Sequence, residues 1–283
     1  MTKTIAVVAD SHGNATALKA VLQDAEKNNA TEVWSIGDIG FGGSSTEECF
    51  QMLEEVNTTQ YLLGNWESVY NKIMNDGDQV DFDNPTNVYF ANLVRYDQEN
   101  FSPNRRKQIQ NLPMTGKKVE QGLIFSLTHN LPNSNHGGTL FPYGDEASFN
   151  ELNIGEDMDV AIYGHTHTPV WRYTTIGQMI FNPGSVGQPW YTRKKFMHDR
   201  DASYLLLTIS GENIDNINFR KVPYDLNTEL SHAKTLGHPY LSLYKKLLTT
   251  GITSTHDKLT LQKINQKNHY KEKVNDFLSN LNH

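Results

Sequence analysis

The 283-residue sequence predicts an α/β fold built on a largely parallel sheet. Two observations lead there. Short β-branched apolar runs alternate with segments of helical periodicity over the first 65 residues, and each run stops at a polar residue where a loop begins. At 37% hydrophobic and 20% charged, the chain is also long enough to bury a sizeable core.

TIAVVA (4–9) reads as a buried strand that enters the loop Asp10-Ser11-His12-Gly13. Ala17, Leu18, Val21, Leu22 and Ala25 then fall on one helical face, which Asn28-Asn29 ends. EVWSIGD (32–38) is a second strand, 46–56 a second helix and TQYLLGN (59–65) a third strand, giving successive β-α-β units. Residues 66–112 hold no convincing strand; their breaks at Gly77, Pro85 and Pro103 suggest a helical insertion over one end of the sheet. KKVEQGLIFSLTH (117–129) predicts a hairpin ending at His129, and DVAIYGH (159–165) a strand ending at His165. Residues 170–184 read as another hairpin, and 203–209 with 216–222 as a strand pair. From 226 the pattern is helical, interrupted at Pro239 and Gly251, with a polar tail expected to form one or two peripheral helices and a disordered far end.

Composition excludes several function classes. A formal charge of -7 argues against a broad basic face, so no stable nucleic-acid complex is expected. No stretch reaches the roughly 18 to 20 apolar residues of a membrane span, and MTKTIAVVAD is too short an apolar run for a signal peptide; a cytoplasmic location is expected. The single cysteine, Cys49, excludes an internal disulfide and a thiolate cluster, leaving Asp, His, Asn and water to bind any metal. Apolar positions in 226–250 offer a face for a homo-oligomer.

Five strands end in residues able to ligate a hard or borderline metal: Asp10 with His12, Asp38, Asn65, His129, and His165 with His167. Each has a plain alternative alone. Gly-Asp and Gly-Asn after a strand usually make turns or helix caps, and a lone histidine is usually a satisfied core residue. Ligands of open α/β sheets bind beyond the carboxyl ends of the strands, so the shared placement of all seven gathers them at one edge.

That order, D-x-H, GD, GN, a strand-end His and G-H-x-H, resembles the calcineurin-like metallophosphoesterases from residue 4 to about 222. FNPGSVGQP (181–189) and RDASYLLLTI (200–209) resemble their smaller prokaryotic phosphodiesterase branch. The resemblance implies a four-layer α/β/β/α sandwich: a metallophosphoesterase domain over 1–225 carrying the insertion at about 66–112, and a C-terminal helical extension over 226–283. It also implies two divalent ions, one held by Asp10, His12 and His167, the other by Asn65, His129 and His165, with Asp38 bridging; Asp38, Asn65 and His129 would be catalytic. Manganese is the first expectation, with iron or zinc as alternatives. Two such ions about 3.5 to 4 Å apart can share a water, ionise it near neutral pH and clamp the phosphoryl oxygens.

Trp66 departs from the resembled pattern. Many members of that family carry a histidine after GN that assists the leaving group. Without it, esters with low-pKa leaving groups remain cleavable and alkyl esters do not. Trp66 is expected either to pack at a helix start or to offer a stacking face to substrate. Further substrate contacts are expected from Asn14, from His136 and Tyr143 in the loop 131–146, and from Tyr191 and Arg193 in the segment 189–200. His198, His232, His238, His256, His269 and His283 follow no strand-end pattern and are expected at the surface.

These readings predict a dinuclear-metal phosphoesterase cleaving a phosphodiester or phosphoanhydride, of a nucleotide, by attack of a metal-bridging hydroxide. A dinucleoside polyphosphate such as diadenosine tetraphosphate is the alternative substrate, and a cyclic nucleotide would differ only in pocket shape. A non-catalytic scaffold on the same fold would show lost ligands, whereas all seven are present.

Overall fold

The computed structural model describes residues 2–152, 155 and 157–281. Strand β1 (Thr2–Val8) sets the plan through its alternation. Ile5 and Val7 point to one buried cluster and Ala6 and Val8 to another, so both faces of the strand are covered. On one side lie helices α1 (Ala15–Lys27) and α2 (Thr46–Glu55), whose Leu18, Val21, Cys49 and Phe50 pack on Ala6 and Val8. On the other lies a second sheet, met through Trp34, Phe125, Val160 and Phe181.

The first sheet has the order β10-β9-β1-β2-β3, with β2 (Glu32–Ser35), β3 (Thr58–Tyr61), β9 (Ala202–Ser210) and β10 (Asn213–Val222). The second has the order β4-β5-β6-β8-β7, from β4 (Thr115–Glu120), β5 (Leu123–Thr128), β6 (Val160–Ile162), β7 (Val170–Tyr173) and β8 (Met179–Asn182). Its outer face is covered by Leu140, Phe149 and Leu152 around α6 (Glu146–Asn150). The result is the four-layer sandwich of two sheets between helices.

One expectation needs correction. The sheets are mixed rather than largely parallel. β1, β2 and β3 run parallel, as do β5, β6 and β8, but β9 and β10 join antiparallel on one sheet and the hairpins β4-β5 and β7-β8 flank the other. Short connections permit only antiparallel neighbours, and crossover segments join the rest. The segment from 226 is helical as expected, forming α7 (Leu226–Thr235) and α8 (Leu241–Thr250), and the polar tail after Gly251 forms two helices, α9 (Lys258–Lys267) and α10 (Tyr270–Leu281).

The insertion comprises α3 (Asn65–Asn75), α4 (Pro85–Asn100) and α5 (Arg105–Gln110). Helices α9 and α10 pack on α4, and Val274 and Leu278 are buried there. A shared cluster of Val88, Leu93, Tyr240 and Tyr270 joins insertion and extension, so the expected disorder does not describe the tail as far as Leu281. Leu226, Leu230, Ala233, Tyr244 and Leu248 cluster within the chain, which removes most of the apolar face expected between 226 and 250 for a second subunit. Among the described residues no helix is long and apolar enough to cross a membrane.

Candidate metal centre

Each of the seven strand-end residues lies just past β1, β2, β3, β5 or β6. Five of them adopt left-handed backbone: Asp10 (φ 56°), His12 (φ 48°), Asp38 (φ 51°), His165 (φ 66°) and His167 (φ 58°). Asp and His tolerate this region better than most residues, but each instance costs on the order of 1 kcal/mol or more, and such strain collects at functional sites. Neighbouring loops hold it in place. The Asp10 N–H donates to Gly37 O (3.1 Å), the His12 N–H to Asp38 O (2.9 Å), and the Gly164 N–H to His129 O (2.9 Å). The GN motif has a steric reason too: a Cβ on Gly64 would stand 2.0 Å from Asp38 Oδ1 and 2.2 Å from Asp38 N.

The side chains converge. Asp10 Oδ1 lies 3.4 Å from His167 Nε2, 3.9 Å from His129 Nε2 and 4.0 Å from His12 Nε2. Asp38 Oδ2 lies 3.4 Å from His129 Nε2 and 3.6 Å from His12 Nε2. Asn65 Oδ1 sits 2.7 Å from His165 Nδ1 and 3.1 Å from His129 Nε2. The ligand atoms of Asp10, His12 and His167 all fall within 4.8 Å of one another, as do those of Asp10, Asp38 and His129.

The rings are oriented by carbonyls, which can only accept. His12, His129 and His167 therefore carry hydrogen on Nδ1, donating to Phe41 O (3.2 Å), Ile36 O (2.7 Å) and Gln188 O (2.7 Å), and turn Nε2 to the centre. His165 is reversed, donating from Nε2 to Gly137 O (3.0 Å) and turning Nδ1 inward.

This donor set fits divalent cations. His12 Nε2 and His167 Nε2 stand 3.1 Å apart, a contact that needs a proton or a cation between two lone pairs. Asp10 Oδ1 is buried and makes no hydrogen bond among the described residues, although the Asp10 Oδ2 atom accepts from the His165 N–H at 3.1 Å. Burial lowers His12 and His165 to about 4, leaving both neutral at pH 7. Burial also opposes charge on His129 and His167, yet Asp38 raises the first to about 10 and Asp10 raises the second. Burial works against ionised Asp10 and Asp38 too, but His167 and His129 hold both below the usual carboxylate range. Two buried carboxylates thus draw positive charge onto imidazoles, and divalent ions answer the same demand.

Sequence reasoning missed Glu67. Its buried carboxylate accepts from the N–H groups of Asp38 (2.9 Å), Gly40 (3.1 Å) and Gly64 (3.0 Å), locking the GD loop to the start of α3. Burial and the nearby Asp38 push its pKa up to about 8. A signal was present: Glu at the third helical position after Gly64 is the acidic half of a capping box.

The model of the calcineurin-like phosphoesterase superfamily domain matches residues 4–212, three quarters of the chain. The chain belongs to the calcineurin-like phosphoesterase superfamily. An uncharacterized protein of Methanocaldococcus jannaschii is 26% identical over 202 residues, which is 65% of this chain and 76% of that protein. Among solved structures, a metallophosphoesterase from Sphaerobacter thermophilus superposes with TM-score 0.65 at 18% identity, covering 88% of this chain and 100% of its own. A hypothetical protein of Pyrococcus horikoshii superposes with TM-score 0.70 at 17% identity, covering 88% and 99%. These likenesses support the same fold, and the superfamily makes the chain a metal-dependent phosphoesterase acting on phosphate esters.

Beside the phosphoesterase centre lies a cavity of about 400 Å³, with Asn65, His165 and His167 at its floor. Trp66, Val69 and Phe90 from the insertion and Tyr240, Leu243 and Tyr244 from the extension line it. Trp66 is half-buried. Its ring packs edge-on against His12 (5.5 Å) and Phe90 (5.2 Å), so it both packs and lines the cavity.

The other expected substrate contacts are not among the lining residues. Asn14 turns away: Oδ1 caps α1 by accepting from the Ala17 N–H (3.0 Å), and its amide donates to Tyr224 Oη (3.2 Å) and Gly187 O (3.5 Å). His136 is exposed, and Tyr143 is exposed and stacked on Phe141. Tyr191 lies under the Lys221 ammonium on the β10 side, and Arg193 sits in a separate surface groove. His238 corrects another expectation. It is buried, stacked on Tyr244 and part of the cavity wall; His283 lies outside the described residues.

Proposed function

We propose that this chain is a dinuclear-metal phosphodiesterase restricted to esters or anhydrides with good leaving groups. Asp10, His12 and His167 would hold one cation, Asn65, His129 and His165 the other, and Asp38 both, all within a catalytic unit spanning 1–225. Divalent ions there, manganese first and iron or zinc as alternatives, supply charge to the phosphoryl oxygens and lower the pKa of water. The chain's own residues orient the donor set: three backbone carbonyls fix Nδ1–H on His12, His129 and His167, and Glu67 fixes the Asp38 loop.

The observation that carries the reading is the convergence of Asp10, Asp38, His12, His129 and His167 on one centre, with Asp10 Oδ1 buried and without a hydrogen bond among the described residues. Trp66 supports the restriction, because an indole can donate a hydrogen bond but cannot protonate a departing alkoxide. The test is steady-state hydrolysis by metal-stripped protein reloaded with manganese, using an aryl phosphodiester, an alkyl phosphomonoester, a cyclic nucleotide and diadenosine tetraphosphate, with Asp38→Asn as the blank. Cleavage of the diester without the alkyl monoester is expected. No turnover above the blank by metal-loaded protein sinks the reading.

A further inference from the structure

We propose that the cavity beside the centre receives the non-leaving substituent of a phosphate ester with a single phosphoryl group, and that this substituent is a flat, uncharged ring. The proposal rests on the phosphoesterase reading above and adds the class of substrate.

Continuity places the substituent there. Asn65, His165 and His167 belong both to the centre and to the cavity, so a phosphoryl group at the former has its organic part beside the latter. A cavity of about 400 Å³ is the size of a small-molecule site, and its walls are mainly aromatic and aliphatic.

Charge decides the class. Among the described residues, none that lines the cavity is Lys, Arg, Asp or Glu. Lys246 is engaged with Ser254 Oγ at 3.3 Å instead of lining it. A second phosphate would meet no Lys or Arg there, only His256 and neutral donors such as Gln188 and Ser254, so its desolvation is poorly offset. This weighs against a dinucleoside polyphosphate.

The tyrosines point the same way. Of the three lining tyrosines, Tyr89, Tyr240 and Tyr244, two have their hydroxyls engaged: Tyr240 Oη donates to Asn265 Oδ1 (2.7 Å) and Tyr244 Oη to Glu229 Oε1 (2.8 Å). The indole of Trp66 adds another aromatic surface to the lining, and ring-on-ring contact favours a planar guest. Polar side chains complete the lining, among them Gln188, His238, Ser254 and His256. His238 Nδ1 accepts from the Tyr240 N–H (3.2 Å), which puts the hydrogen of the neutral ring on Nε2, and Nε2 makes no hydrogen bond among the described residues.

The test holds the leaving group constant. Manganese-loaded protein is given methyl, phenyl and thymidin-5′-yl p-nitrophenyl phosphate, and kcat/KM is measured for each. Both ring-bearing esters are expected to exceed the methyl ester at least tenfold, and their order separates an aryl group from a nucleoside as the guest. Leu243→Lys should narrow the phenyl-to-methyl ratio at least fivefold. Calorimetric titration with phenylphosphonate and methylphosphonate reads the same preference as binding, apart from turnover. Equal kcat/KM for all three, each well above the Asp38→Asn blank, overturns the proposal and leaves the phosphoesterase reading standing. Faster cleavage of diadenosine tetraphosphate than of the phenyl ester also overturns it. No turnover of any ester above the blank overturns the reading beneath it, and the proposal falls with it.

Discussion

The Trp66 backbone N–H donates to Asp38 Oδ1 at 2.9 Å, while the indole of the same residue faces the cavity. Main chain and side chain therefore serve different ends. Trp66→His keeps the N–H and replaces the ring with one able to carry a proton. Turnover of an alkyl phosphomonoester relative to the aryl diester should rise at least tenfold, the lower part of what a positioned acid contributes. An unchanged ratio across pH 6 to 8 would show that position 66 does not reach the leaving group.

Gly64 leaves no room for a methyl group. Gly64→Ala should destabilise the fold by about 1 to 3 kcal/mol and lower kcat at least a hundredfold, because the displaced atoms belong to Asp38. Thermal melts and metal content measured together test this. Gly138→Ala, where a Cβ meets only Phe141 at ordinary contact distance of 3.5 Å, is the control and should leave both unchanged.

Metal should stabilise the protein through Asp10. Manganese at a hundredfold its dissociation constant is expected to add about 2.7 kcal/mol, read as a rise in Tm. Asp10→Asn should remove most of that rise, since it removes charge from an oxygen close to three imidazole nitrogens. An equal rise in the variant would take Asp10 out of the ligand set.

Glu32 provides a test of pH dependence away from the centre. Burial alone would raise its pKa, but hydrogen bonds from Lys3, Thr59, Trp34 (2.7 Å) and Lys118 prevail and hold it at about 2. A carboxylate depressed on folding contributes stability that is full above its ordinary value near 4.5 and is lost as pH falls through about 2. The contribution is on the order of 3 kcal/mol at neutral pH. The Tm gap between the wild type and Glu32→Gln should be widest above pH 5 and shrink toward pH 2; a constant gap contradicts the assignment.

What the sequence made legible follows from how each feature is encoded. The seven convergent residues are side chains at strand ends, so motif and periodicity reach them together. The carbonyls of Phe41, Ile36, Gln188 and Gly137 that orient the histidines have no side-chain signature, and only the folded backbone brings them in. His238 was misplaced because its burial depends on Tyr244 and Tyr96 from separate helices, neither marked by any local pattern. The sheets proved mixed because strand direction depends on connections that apolar runs do not specify.

Every residue of the seven precedes position 168, whereas Tyr240, Leu243 and Tyr244 follow the last strand. The seven convergent residues therefore lie in the first length of polypeptide, while the cavity wall is shared between the insertion and the extension. A substitution in the extension can reshape part of that wall without touching any of the seven.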